Sequence, residues 1–422
     1  MNERIGFGST EILLPDFSRV DGTRWAVIAC DQYTSEPEYW ESTAELVGNA
    51  PSTLDLILPE VYLSETEKRI ARINEEMSCV LHNVLIAHPH AMIGLIRTQS
   101  DGKLRRGIIG AVDLECYDYG KDSKSLIRAT EGTILERIPP RVAIRKDAPL
   151  ELPHVMLFID DPEQTAIEPA LSSACEREPL YDFDLMLGGG HVRSYLLNDR
   201  EKERVQNALE ALISPEAMEK NYGDATLPPM LFAVGDGNHS LATAKTVYED
   251  IKKKIGIEAA KNHPARYALV EVVNLRDEVF EFEPIYRVLF DCDADGLLQE
   301  LRAYAARLNG TAAPQTVTCI TATEESTLTV AHPTHHLTVG TLQSFLDGYL
   351  TRHPEVSIDY IHGEDSARAL AQKPNTVSFL FEGIKKDAFF QSVMQDGALP
   401  RKTFSMSHAR DKRYYVECRK IQ

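Results

Sequence analysis

The sequence predicts an α/β fold with mixed sheets, and three observations carry that reading. Compact apolar runs suited to buried strands recur at 25–30, 153–160, 230–234 and 267–273. Between them lie stretches with apolar residues at helical spacing, such as Ile70, Ile73, Met77 and Val80, or Val205, Leu209 and Leu212. The 422 residues are 43% hydrophobic and 26% charged, an ordinary globular composition that excludes a disordered or fibrous chain.

Taken in order, 25–30 reads as a buried strand and 64–80 as a helix. Strands follow at 84–87, 92–96 and 107–112, two of them separated by the turn Ser100-Asp101-Gly102. The middle third reads as an α/β unit. A strand at 153–160 ends in acidic residues, helices follow at 163–175 and 201–213, and Pro228 and Pro229 stop the chain before a strand at 230–234. Gly235-Asp236-Gly237-Asn238-His239-Ser240 then opens a helix whose buried stripe is Leu241, Ala244, Tyr248 and Ile251. After a strand at 267–273, the last third mixes a hairpin (326–330 against 336–339), a helix at 341–350 and strands at 356–361 and 377–381. No internal repeat, low-complexity tract or Gly/Ser/Pro-rich linker separates the thirds.

The formal charge of −19 repels phosphate backbones and anionic lipid, so nucleic acid is not an expected partner. No stretch approaches the roughly 18 apolar residues of a membrane span. The first residues lack the basic and apolar regions of a secretory signal, so a cytoplasmic protein is expected. The seven cysteines are far apart and include no Cys-x-x-Cys pair, which argues against a disulfide framework or zinc ribbon. Of His88, His90, His332, His335 and His336, the last three lie in a hairpin loop next to Pro333 without Cys, Asp or Glu at ligand spacing and read as surface histidines; no metal site is assigned. The oligomeric state is not legible.

Three clusters carry chemistry. A strand that delivers Gly235 to Ser240 into a helix aims backbone N–H groups at one point, where aligned peptide dipoles favour an anion. Asp236 stands at the carboxyl end of that strand, the usual place for ligand-binding groups in α/β sheets. The plainer alternative is a tight turn in which Asn238 or Ser240 caps the helix. In the second cluster, Arg128, Thr130, Glu131, Thr133, Glu136, Arg137 and Arg141 interleave carboxylates with cations. They suit either phosphate binding with Glu131 as a base or a solvated ion-paired helix. The third, Gly188-Gly189-Gly190-His191 with Arg193, reads as backbone pressed against a ligand or as a hinge. Arg401 and Lys402 begin a basic, hydroxyl-rich segment, and Asp31 to Ser35 form a polar loop just past the first strand. There is no P-loop, Rossmann fingerprint, H-E-x-x-H or G-x-S-x-G motif.

Arg128-x-x-Glu131 with Arg137, Leu187-x-Gly189-Gly190-His191, Asp236-Gly237-Asn238-His239, Glu283 to Arg287, and Leu399 to Thr403 together resemble the prokaryotic domain-of-unknown-function 1015 family. The resemblance runs in order from about Trp25 to the C-terminus. That family's Asp-Gly-His-His-Arg turn is in turn similar to the turn of free serine kinases of the ParB-like superfamily. The resemblance implies a ParB-like core at 125–275, flanked by α+β segments at 1–124 and 276–422. It also implies catalytic roles for Glu131, Asp236 and His239. Phosphate or nucleotide contacts would come from Arg128, Arg137, Gly189, Gly190, His191, Arg193, Gly235, Gly237, Asn238, Ser240, Arg287, Arg401 and Lys402. Asn238 replaces a histidine and Ser240 an arginine of the family turn, which removes a cationic contact; Arg193, Lys245 or Arg287 are the candidate substitutes.

The activity so implied is transfer of phosphate from a nucleotide to the hydroxyl of a small metabolite. The cofactors are ATP or ADP, with CTP an alternative, and Mg²⁺. Two other readings stand beside it: a phosphatase of a small phosphorylated metabolite such as phosphoserine, and a nucleotide-binding regulator without catalysis.

Overall fold

The computed structural model describes residues 1–132, 138–406 and 408–422. It is a mixed α/β structure in two compact units. The described parts of 1–129, 133–279 and 407–422 form the first, and 130–132 with 280–406 form the second.

Among the described residues, the first unit holds a ten-stranded mixed sheet. Its strands lie in the order Tyr181–Asp184, His191–Leu196, Ile93–Thr98, Leu104–Asp113, Tyr267–Asn274, Met156–Ile159, Phe232–Asp236, Ile127–Ala129 and Tyr117–Asp118. Phe7–Gly8 pairs beside Leu104–Asp113. Leu104–Asp113 and Tyr267–Asn274 run antiparallel from Asp113 opposite Tyr267 to Gly107 opposite Val273. Seven consecutive residues of each are buried, because both faces of the sheet are covered and an alternating pattern would leave polar groups in a core. One core holds Ile108, Val112, Leu157, Phe232, Val234, Leu241 and Tyr248. A second, built on Trp25, Ile28, Trp40, Tyr415 and Cys418, lies with Leu95, Ile109 and Leu269 of the sheet.

The long helices fall where periodicity placed them, at Thr66–Asn83, Asp199–Leu212 and Asn238–Ile255. The Asp199–Leu212 helix starts with a full capping box between Asn198 and Glu201. Two local readings are corrected. Only Val27–Ile28 of 25–30 is strand, because Gly22–Trp25 winds into a helical turn capped by Asp21. Trp25 is buried by tertiary packing and donates Nε1–H to the Val416 carbonyl at 2.9 Å.

The second correction concerns the hairpin of the last third. Glu325–Val330 pairs with Gln315–Ile320, not with 336–339. Residues from Thr338 instead belong to the helix Thr338–Arg352, whose Leu342, Phe345, Leu346 and Tyr349 face the core at helical spacing. The sheet of the second unit runs Glu325–Val330, Gln315–Ile320, Val377–Leu380, Phe282–Phe290 and Ser357–His362. Phe404–Met406 continues it beside the first residues of Phe282–Phe290. Among the described residues no helix is long and apolar enough to cross a membrane.

Candidate functional site

The first three residues of Phe232–Asp236 are buried, and the strand reaches the surface at Gly235 and Asp236. Met156–Ile159 runs antiparallel beside it with Met156 opposite Asp236, and the two glycines permit that approach. A Cβ on Gly235 would meet the Phe158 ring at 2.6 Å, and one on Gly237 would meet the Val155 Cα at 3.0 Å. Gly237 also has φ +80°, the left-handed region that glycine enters without steric cost. Asp236 folds back to accept the Gly237 N–H at 2.9 Å. The helix Asn238–Ile255 therefore begins with a glycine cap and no side-chain cap; Asn238 and Ser240 do not play the capping role. The Asn238 Oδ1 is buried and accepts no protein hydrogen bond.

Two antiparallel pairings bring four chain segments to this turn. Met156–Ile159 starts where Phe232–Asp236 ends, which sets His154 beside Asp236 and Ser240. Val27–Ile28 pairs with Tyr414–Tyr415, which sets Asp31, just past one strand, near Lys412, just before the other. The Lys412 Nζ is 3.4 Å from the Asp236 carboxylate, each side chain less than a fifth exposed. His154 is 4% exposed. Its Nε2 lies 3.3 Å from Asp31 Oδ2 and 3.3 Å from Ser240 Oγ. Its Nδ1 lies 2.9 Å from the Tyr415 hydroxyl.

The partners of this imidazole favour its charged form. Tyr415 donates its hydroxyl proton to Cys30 Sγ at 3.2 Å and accepts the Cys30 N–H at 3.2 Å. His154 Nδ1 shares a hydrogen bond with the same Tyr415 hydroxyl, while Nε2 faces the Asp31 carboxylate. A protonated ring has a partner at each nitrogen here. Burial opposes that charge, but the ion pair and hydrogen bond with Asp31, together with Asp236 and Glu60, outweigh it and hold His154 above its ordinary pKa. Burial likewise opposes ionisation of Asp31, and His154, Gln32 and Lys412 overcome it, so Asp31 stays well below the usual carboxylate range. The Cys30 thiol is pushed up to about 12, chiefly by burial and then by Asp31, which leaves it an inert hydrogen-bond partner. The turn thus gathers a lysine, an imidazole held above its ordinary pKa, two carboxylates, a hydroxyl and a helix start without a side-chain cap.

The other residues singled out from the sequence are placed as follows. Arg128 is buried and gives Nε to the Ser125 carbonyl and Nη2 to those of Pro228 and Pro229; burial pushes it down to about 10. Gly189 and Gly190 form the turn between Tyr181–Asp184 and His191–Leu196. A Cβ on Gly190 would lie 2.0 Å from the Thr98 carbonyl oxygen. His191 bridges Asp182 and Asp184, and Arg193 bonds Asp182 at 2.6 Å. Their strand is five positions from Phe232–Asp236 in the sheet, roughly 24 Å at about 4.8 Å per strand. Lys245 bonds the Leu114 carbonyl and pairs with Glu249. His239 lies in the first turn of the helix, its carbonyl accepting from Thr243.

Glu131, Arg287, Arg401 and Lys402 belong to the second unit. Glu131 bridges to Leu399. Arg287 is fully buried and donates to Gln343 and to the carbonyls of Ile285, Arg401 and Lys402; burial pushes it down to about 10. Arg401 Nε bonds the Tyr360 hydroxyl at 3.0 Å, and Lys402 Nζ stands 5.3 Å from the same ring. Arg137 lies outside the described residues.

His154, Lys412 and Tyr415 went unread as site residues. His154 carried one signal, a lone ionisable residue at the edge of an apolar strand. Lys412 and Tyr415 carried none, because their place depends on pairing with a strand almost four hundred residues earlier.

A family model described as "Protein of unknown function (DUF1015)" matches residues 16–349. No curated protein matches the chain. Among solved structures it is similar to a free serine kinase in complex with AMP, at 13% identity over 52% of this chain and 85% of that one, TM-score 0.29. It is similar to a conserved hypothetical protein from Pyrococcus furiosus at 16% identity over 48% and 84% of the two chains, TM-score 0.28. It is also similar to C-terminally truncated SbnI from Staphylococcus aureus at 11% identity over 71% and 83%, TM-score 0.33.

Proposed function

The chain belongs to the DUF1015 family, and from that starting point we propose that the cluster around Asp236 holds nucleotide phosphates and passes one to the hydroxyl of a small metabolite. The observation that carries this reading is the convergence of Lys412 and His154 on Asp236 at a helix start that no side chain caps. Backbone N–H groups there and the two cations suit phosphate oxygens, whose negative charge the helix dipole also favours. Lys412 and His154 offer the cationic contacts that the Ser240 position lacks relative to the family turn.

Asp236 takes the base role because it stands among those cations in the first unit. The acceptor oxygen bonds to the terminal phosphorus, the bridging P–O bond to the leaving nucleotide breaks, and the hydroxyl proton passes to the Asp236 carboxylate. Phosphoryl transfer has a loose transition state, so positioning and charge neutralisation supply most of the rate. When bound, magnesium supplies further neutralisation of the phosphates. Among the described residues no three His, Cys, Asp or Glu side chains are grouped to hold a metal. A phosphate-borne Mg²⁺ needs only one or two carboxylates, of which Asp31 would supply one.

The test is incubation with Mg²⁺ and ATP, ADP or CTP over a panel of hydroxyl metabolites that includes L-serine, followed by phosphorus NMR. A phosphomonoester is expected, and its rate should fall on the order of 10²- to 10⁴-fold in Asp236→Asn. Phosphate release from phosphoserine without nucleotide would replace this reading with a phosphatase. Nucleotide binding without transfer to any acceptor would replace it with a nucleotide switch.

A further inference from the structure

A cavity of about 520 Å³ opens in the first unit beside the helix Asn238–Ile255, lined by Tyr119, Ile138, Val142, Ala143, Lys146 and Thr246 among others. Its walls are mainly apolar side chains. Lys146 supplies a donor and the Thr246 hydroxyl, whose proton goes to the Ala242 carbonyl at 2.9 Å, supplies an acceptor, and the volume falls in the range of small-molecule sites.

The cavity and the Asp236 turn share one helix. Thr246 follows His239 by seven residues, almost two full turns, so the two positions lie on the same helix face. They are separated along the axis by roughly 10 Å at 1.5 Å per residue. A nucleotide whose phosphates occupy the helix start has the cavity within reach along this helix. An open, mainly apolar groove with one aromatic ring, a hydroxyl and an ammonium suits a base and its ribose, which need stacking surface and a few directed polar contacts.

We infer that this cavity is the nucleoside pocket, with the base against Tyr119, Ile138 and Val142 and the ribose and base-edge polar atoms met by Thr246 and Lys146. The inference rests on the phosphate-binding reading of the Asp236 turn, which it extends to the whole nucleotide.

The experiment measures calorimetric binding of ATP and of inorganic triphosphate, each with Mg²⁺, to the wild-type chain, to Ala143→Trp, which fills the cavity, and to Lys412→Met. Ala143→Trp is expected to weaken ATP by roughly tenfold or more and to leave triphosphate unchanged, whereas Lys412→Met weakens both. ATP affinity at the wild-type level in a folded Ala143→Trp chain would overturn the pocket and leave the phosphate site standing. Failure of the wild-type chain to bind either ligand would overturn the phosphate reading and the pocket with it. Since a tryptophan can disturb folding, adenosine alone is also titrated into methyl-labelled protein. Shifts at Ile138, Val142 and Ala143 are expected, and their absence at saturating adenosine would sink the proposal.

Discussion

His154 shows how one side chain acquires a charge that its burial opposes. Its ring meets Asp31 at Nε2 and Tyr415 at Nδ1, and the linkage has a definite sign. Because the folded pKa of His154 is raised, its stabilisation is full below the unfolded value of about 6.5 and is lost as pH rises through the folded one. Because that of Asp31 is lowered, its share is full above about 4 and is lost as pH falls through the folded value. His154→Gln should therefore cost most between about pH 4 and 6.5, on the order of 3 kcal/mol, with the gap to wild type narrowing above neutrality. Urea midpoints across pH 4 to 9 measure it; a gap that widened with pH would refute the charged assignment. Gly190 makes a second case. Its φ of +83° and the 2.0 Å approach to the Thr98 carbonyl mean that Gly190→Ala is expected to lose about 2 kcal/mol or more, read from the same denaturation curves.

At the scale of elements, the C-terminal segment 408–422 organises the site. Tyr414–Tyr415 pairs with Val27–Ile28, Arg419–Lys420 pairs with Leu150–Glu151, and Cys418 exchanges backbone hydrogen bonds with Leu13. A buried charge network fixes its register. Arg413 bonds Glu271 at 2.7 Å and Glu417 at 2.5 Å, Arg105 takes the other Glu271 oxygen, and Tyr181 donates to Glu417. Removing one member strands a buried charge, so Arg413→Met should cost about 3–5 kcal/mol. Arg413→Met with Glu417→Gln should recover part of that loss, which a double-mutant cycle on chemical denaturation would measure. Loss of this register would also withdraw Lys412 from Asp236. The misread hairpin of the last third has a related cause. Alternation identified 326–330 as a strand, but strand pairing is non-local, and Gln315–Ile320 presented the better apolar face through Val317, Cys319 and Ile320.

For the whole molecule, two units with separate cores imply that damage stays local. Leu346 is fully buried in the second unit beside Val288 and Phe379. Leu346→Ala is expected to cost about 2–5 kcal/mol, with lost hydrogen-exchange protection concentrated in 280–406. Equal loss throughout 1–279 would contradict that division. The α/β character, the strand ending at Asp236, the helix behind it and the special place of Gly237 were written in local pattern. Periodicity and glycine chemistry act over a few residues, and a single chain displays them. The partners of Asp236 were not so written. His154 arrives through an antiparallel neighbour, Lys412 and Tyr415 through a strand formed by the last residues, and Gly189, His191 and Arg193 are carried several strands away by the sheet order. The sequence alone therefore determined the element types and the turn that bears Asp236. Only the tertiary structure decided which charges surround that turn, because strand pairing is chosen by burial and charge summed over the folded chain and not by any short stretch of it.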